Sequence, residues 1–227
     1  MKKILLSLML VGLAQAAFAV DQADLDKRIH ALTGRLETLQ SKPDKAIPWE
    51  TLNKAQGIIL LEKVKGGLVF GYEGGNGVAM VREAKSHKWS AAAFMASSAS
   101  SFGLQAGGEQ SFYVVLLMNT NSARSMTEPN FDFGGEARGT AGNAHGGADS
   151  TVSSADQPIL IYDDRNGFYN GAVVKGGTLS PDDKANTAYY GGFFTMKDIL
   201  FDKKVKPTQP AIDLAKKLNE FSKKPKE

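Results

Sequence analysis

Four groups of residues in this chain have types and spacings that could do chemistry. His87 and Ser90 lie three apart in a polar turn, where an imidazole could take a serine proton for nucleophilic attack. No third group stands beside them to orient the imidazole. Trp89-Ser90 is explained more simply as a buried aromatic followed by a hydroxyl that closes a turn. His145 and Asp149, four apart in a glycine-rich stretch, could be two metal ligands. Zinc needs three or four ligands with supporting partners, and nothing nearby supplies the rest, so a loop histidine is expected. Asp163-Asp164 and Asp182-Asp183 are acid pairs in turns. An EF-hand needs glutamate at its twelfth position, and counting from Asp163 that position is Val174, so capping of turns by these side chains is expected. His30 falls on the polar side of a helix and reads as solvated. There is no G-x-x-x-x-G-K-[ST] cradle and no strand-linked G-x-G-x-x-G. No catalytic residue, metal site or cofactor is implied, and the chain does not read as an enzyme.

The fourth group is basic. Residues 197–227 hold nine lysines against five acids, which leaves the rest of the chain slightly acidic. A basic side chain near an anionic membrane contributes about 1 kcal/mol of attraction. Lys203, Lys204, Lys206, Lys216, Lys217, Lys223 and Lys224 are therefore the candidate lipid-contacting residues, against the alternative of a merely solvated helix face. A basic end on an acidic body argues against a broad nucleic-acid footprint.

The elements that must position these residues follow from pattern and composition. Lys2-Lys3, an apolar run over residues 4–13 and Ala17-Phe18-Ala19 form an export signal, with cleavage expected after Ala19. The run is too short to span a bilayer, so the mature chain is expected to have no transmembrane segment, and without cysteine it cannot be a lipoprotein. A periplasmic or secreted location follows. Leu25, Ile29, Leu32, Leu36 and Leu39 step by four and three, a heptad seam over residues 21–41. It can pack on its own domain, oligomerise or dock an envelope partner. Ile47-Pro48-Trp49-Glu50 starts a second short helix.

Between Gly57 and Gly192 lie 22 of the 24 glycines, inside short apolar runs. Glycine within a strand marks a bulge, a bend or close backbone approach, so a strongly curled sheet is expected. Residues 57–64, 67–72 and 77–83 read as three short strands, and residues 112–118 as a strand buried on both faces. Residues 158–162 and 168–174 flank an Asn166-Gly167 turn and read as a hairpin. Residues 119–126 read as a capped helical turn, 134–154 as a loop, and 211–222 as a C-terminal helix. That helix sets Ile212, Ala215, Leu218 and Phe221 on one side and Lys216, Lys217, Lys223 and Lys224 on the other. The fold class is α+β: a curled, glycine-rich antiparallel sheet or partial barrel with flanking N- and C-terminal helices. The expected division is 1–19 signal peptide, 20–46 amphipathic helix, 47–196 sheet domain and 197–227 basic helix and tail.

Taken in order, the motifs resemble the SYLF family. Lys54-Ala55-Gln56-Gly57-Ile58 stands in place of its A-K-G-apolar opening, and Lys65-Gly66-Gly67-Leu68-Val69-Phe70-Gly71 is similar to its K-A-G-F strand entry. Asn76-Gly77-Val78-Ala79 with Arg82 resembles its G-S-G-V segment, Trp89-Ser90 its W-S pair, and Gly103-Leu104-Gln105-Ala106-Gly107 its G-x-Q-x-G. Tyr162, Gly167, Gly171, Asn186, Tyr190 and Gly191 recur in the order of its second half. The resemblance covers residues 47–192. Phe112 stands where many members carry aspartate, and residues 142–147 lack the arginine of a G-P-x-G-R element, so an anion contact through that loop is not implied. The resemblance implies a lipid-binding module related to eukaryotic actin regulators. The expected function is non-catalytic binding of anionic phospholipid head groups in a bacterial envelope. The alternative is a protein-interaction or self-associating module that uses the heptad helix.

Overall fold

The computed structural model describes residues 21–67, 70–102, 107–132, 159–164, 167–169 and 178–225. The export signal, the loop reading of residues 134–154, the His145–Asp149 pair, Gly103, Gln105 and Gly171 lie outside them.

Asp21 opens the first helix, its carboxylate accepting from the Asp24 N–H at 2.8 Å, and α1 runs Gln22–Gln40. The five heptad residues are each at most 2% exposed, because they pack on the chain's own sheet and its last helix. The reading of this seam as a self-association or docking surface is therefore corrected: a stripe of leucines long enough for two heptads is consumed within the molecule. Pro48 precedes α2 (Trp49–Lys54).

Antiparallel strands follow: β1 (Gly57–Gly67), β2 (Phe70–Val81), β3 (Ala93–Phe102) and β4 (Gly107–Leu117). After α3 (Thr120–Ser125) come β5 (Phe131–Asp132), β6 (Ile159–Asp163), β7 (Gly167–Tyr169) and β8 (Thr178–Pro181). The sheet order is β5-β8-β3-β2-β1-β4-β6-β7, an open sheet grown outward from the β1–β2 pair rather than a closed barrel. Three helices complete the chain: α4 (Asp183–Tyr190), α5 (Met196–Leu200) and α6 (Gln209–Phe221).

The sheet's described core is covered on both faces. Ile58, Leu60, Val78, Met80, Phe94, Val114 and Leu116 pack with α1, α2, α4 and α6. Their neighbours Ile59, Leu61, Ala79, Met95, Val115 and Leu117 pack with α3 and α5 on the other side. Burial on both faces is why these strands are continuous apolar runs without alternation.

Two expectations change. Residues 67–72 and 77–83 are not separate strands. Gly67 ends β1, while Gly71 and Gly77 sit inside β2, whose register with β1 runs unbroken from Gly57↔Val81 to Gly66↔Tyr72. Glycine here answers close approach rather than a break: a Cβ at Gly75 would lie 3.0 Å from the Glu62 carbonyl oxygen, and one at Gly77 3.1 Å from that of Leu60. In α6 the buried stripe is Ala211, Leu214 and Leu218, while Ile212 is 48% exposed and faces away from the core. Ala215, Leu218 and Phe221 of the expected apolar side do pack on the core, and Ala211 and Leu214 take the place expected of Ile212, because α1 and α2 receive that edge of the helix.

Candidate functional site

The residues of the sequence motifs resolve into joints between elements. Arg82 donates from Nη1 to the Asn53 carbonyl at 2.7 Å and from Nη2 to the Leu52 carbonyl at 3.3 Å, satisfying the open end of α2. Its guanidinium lies 4.7 Å from the centre of the Trp89 ring and 3.4 Å from the Ser222 Oγ at the end of α6. Burial pushes the pKa of Arg82 down, as expected for a guanidinium drawn out of water. Ser90 Oγ accepts from the Val81 N–H at 3.1 Å and donates to the Ala91 carbonyl at 2.7 Å, so it closes the mouth of the 82–90 turn. That hydroxyl is occupied by backbone, and His87, exposed with φ of 55°, is no partner to it among the described residues.

Asn186, fully buried, accepts from the Phe94 N–H at 2.8 Å and donates to the Phe94 carbonyl at 3.1 Å. Tyr190 donates its hydroxyl to the Ala92 carbonyl, and Gly191 ends α4 with φ of 68°. Tyr162 is buried and bonded to Thr51, and burial raises its phenol to about 12. A Cβ on Gly57 would meet Leu117 at 3.2 Å and Ala123 at 3.4 Å, so this glycine lets α3 sit on β1. Gly67, Gly71, Gly107 and Gly167 hold backbone positions in β1, β2, β4 and β7. The acid pairs cap and tie: Asp182 accepts from the Ala185 N–H at 3.0 Å, and Asp164 meets Arg35 of α1 at 3.3 Å.

The seven candidate lysines divide by their surroundings. Lys203 pairs with Glu83, Lys204 with Asp198 at 2.7 Å, and Lys217 with Glu37 at 2.8 Å. Lys206, Lys216 and Lys223 are exposed and form no ion pair among the described residues; Lys224 is also exposed. Lys216 lies one turn beyond the half-exposed Ile212 on α6, and Lys223 follows just past the Ser222 cap that ends the helix.

A cavity of about 370 Å³ opens where the 82–90 turn, α3 and the 199–207 segment meet. Its buried wall is Val81, Trp89, Ala91, Ala123, Ile199 and Leu200. Four cations (Arg82, Lys88, Arg124 and Lys203) line it against one acid, Glu83. Arg124 stacks 5.0 Å from the Phe201 ring and ties α3 to the segment after α5. Of the seven lysines only Lys203 reaches it. Sequence reasoning missed this site: its cations come from three separate segments, and no local spacing marks them.

The profile of the Ysc84 family, described as Las17-binding protein actin regulator, matches residues 98–221. The chain belongs to the Ysc84 family. SYLF is the same family, and the match extends beyond the resembling motifs through α6. LAS seventeen-binding protein 3 of Saccharomyces cerevisiae is 28% identical over 174 residues, 75% of this chain and 37% of that protein. SH3 domain-containing YSC84-like protein 1 is 30% identical over 191 residues in Rattus norvegicus and 29% in Homo sapiens, in each case 82% of this chain and 55% of the relative. The chain thus spans between about a third and just over half of the length of these Ysc84 relatives. The yeast relative is named for binding LAS seventeen. No solved structure matches the chain. Within the described residues no helix is long and apolar enough to cross a membrane.

Proposed function

We propose that this Ysc84-family chain is a non-catalytic protein that binds surfaces of anionic phospholipid, acting in the cell envelope after export. The observation that carries the reading is the outer face of α6 and the turn after it, where half-exposed Ile212 and Lys216 on the helix are followed by Lys223 just past its end, neither lysine neutralised within the described molecule. An apolar side chain bordered by unpaired cations suits the boundary between head groups and acyl chains. Lys203, Lys204 and Lys217 already hold carboxylates and offer a surface less.

The test is sedimentation with phosphatidylglycerol and with phosphatidylcholine vesicles at low and high salt. Binding is expected only to the anionic vesicles and should fall as salt rises. Changing Lys206, Lys216 and Lys223 together to Gln should weaken it roughly 100-fold at low salt, at about 1 kcal/mol per cation. The same change at Lys203, Lys204 and Lys217 should cost less. Removing everything after residue 202 would be a poorer test, because it also strips Ala211, Leu214 and Leu218 from the core. Equal sedimentation with neutral vesicles, or none with either, would end the lipid reading. A protein partner would then be the favoured reading, as the name of one yeast relative, LAS seventeen-binding protein 3, suggests.

A further inference from the structure

We propose that the cavity between the 82–90 turn, α3 and the 199–207 segment binds one single-chain amphiphile with an anionic head, its chain inside and its head at Lys88 and Arg124. The proposal rests on the lipid reading for the class of ligand and adds a second, monomeric mode away from the outer face of α6. Three observations point to it. The wall is apolar and deep: Val81, Ala91, Ala123, Ile199 and Leu200 are each at most 4% exposed. A volume of about 370 Å³ lies near the lower end of the roughly 300–1,000 Å³ typical of ligand pockets. That suits one acyl chain and not two. The charge is one-sided, since Glu83 is already held by Lys203 while Lys88 and Arg124 have no carboxylate partner among the described residues.

The third observation concerns unmet donors. Trp89 is 8% exposed, and its indole N–H has no hydrogen-bond partner among the described residues; the Arg82 Nε–H is likewise buried and unmatched. Buried donors are nearly always satisfied. Both residues line the cavity, so a small shift of either side chain on binding would offer these donors to an acceptor-only head group, a carboxylate or a phosphate monoester. A cationic amphiphile would fill the same apolar space but meet four positive charges.

The experiment is titration calorimetry of the full chain with dodecanoate, dodecyl phosphate and dodecyltrimethylammonium, each below its micellar concentration. Vesicle sedimentation runs in parallel. One-to-one binding of both anions is expected, at least tenfold tighter than of the cation. Lys88→Glu with Arg124→Glu, both at exposed positions, should weaken anion binding roughly tenfold or more per cation. Ala84→Trp, an exposed position at the cavity's edge, should block all three ligands and leave the thermal unfolding transition in place. Equal affinity for anion and cation, absence of one-to-one binding, or indifference to both variants would overturn the proposal. Retained vesicle binding with failure of these arms would remove the cavity alone. Dodecanoate binding without vesicle binding would end the reading of a membrane-surface binder and keep the cavity as a site for a monomeric amphiphile.

Discussion

One side-chain amide, that of Asn186, reads the backbone of Phe94 as a neighbouring strand would, accepting from its N–H at 2.8 Å and donating to its carbonyl at 3.1 Å. Replacing it with leucine leaves the buried Phe94 N–H unmet, while the Phe94 carbonyl keeps the Asp182 N–H at 3.0 Å, and urea unfolding should show a loss of about 2 kcal/mol. A loss below about 1 kcal/mol would mean that other groups move in to serve Phe94. Asp198 gives a test in pH. Its carboxyl is held down at about 2, first by the Lys204 ammonium and then by the Thr195 hydroxyl and N–H. An unfolded aspartate titrates near 4. The folded state therefore holds fewer protons than the unfolded one between these values, and the stabilisation is complete above about pH 4 and lost as pH falls toward 2. In Asp198→Asn the melting temperature should fall less steeply across that window than in the wild type. Parallel curves would show that this carboxylate has no linkage to folding.

Among elements, glycines of the same composition act in opposite ways. Gly34 sits inside α1 with nothing within 4 Å of a built Cβ, so Gly34→Ala should raise stability by about 0.5–1 kcal/mol through reduced freedom of the unfolded chain. Gly77 faces the Leu60 carbonyl oxygen at 3.1 Å, and Gly77→Ala should lower stability as β1 and β2 are pushed apart. Thermal melts of the two variants should shift in opposite directions. The helices that were legible carried local signals: Asp21 capping α1, Asn119 capping α3, and the leucine steps of four and three. What was illegible depended on partners far along the chain. β3 opens with Ala93 and carries Ser97, both buried, and its run of alanines and serines resembles a loop in sequence. Whether a glycine ends a strand or admits a neighbour's carbonyl depends on the strand beside it. The cavity was hidden for the same reason, since Lys88, Arg124 and Phe201 meet only after the sheet has formed. The motif residues were legible as a set, and the structure gives them architectural duties: Arg82 closes α2, Ser90 closes a turn, Asn186 completes β3.

At the scale of the whole molecule, the first and last helices belong to one core. The cluster on one face of the sheet holds residues from α1, α2, α4 and α6 together, so the basic C-terminal segment is part of the sheet's cover. Cations that point outward from such a helix keep their positions with respect to the rest of the surface, and binding need not first order them. The pairing of α1 with α6 has one more consequence. The Tyr189 hydroxyl reaches Asp26 and Thr208 at 2.6 Å each, while farther along Glu37 meets Lys217 at 2.8 Å, so the two helices run side by side in the same direction. The chain therefore enters at one pole of this pair and leaves near the other, separated by about the length of the 19-residue α1, roughly 28 Å. A pull applied between those poles would load the two helices in shear along their shared contact, so that many contacts bear the force at once instead of peeling apart in turn.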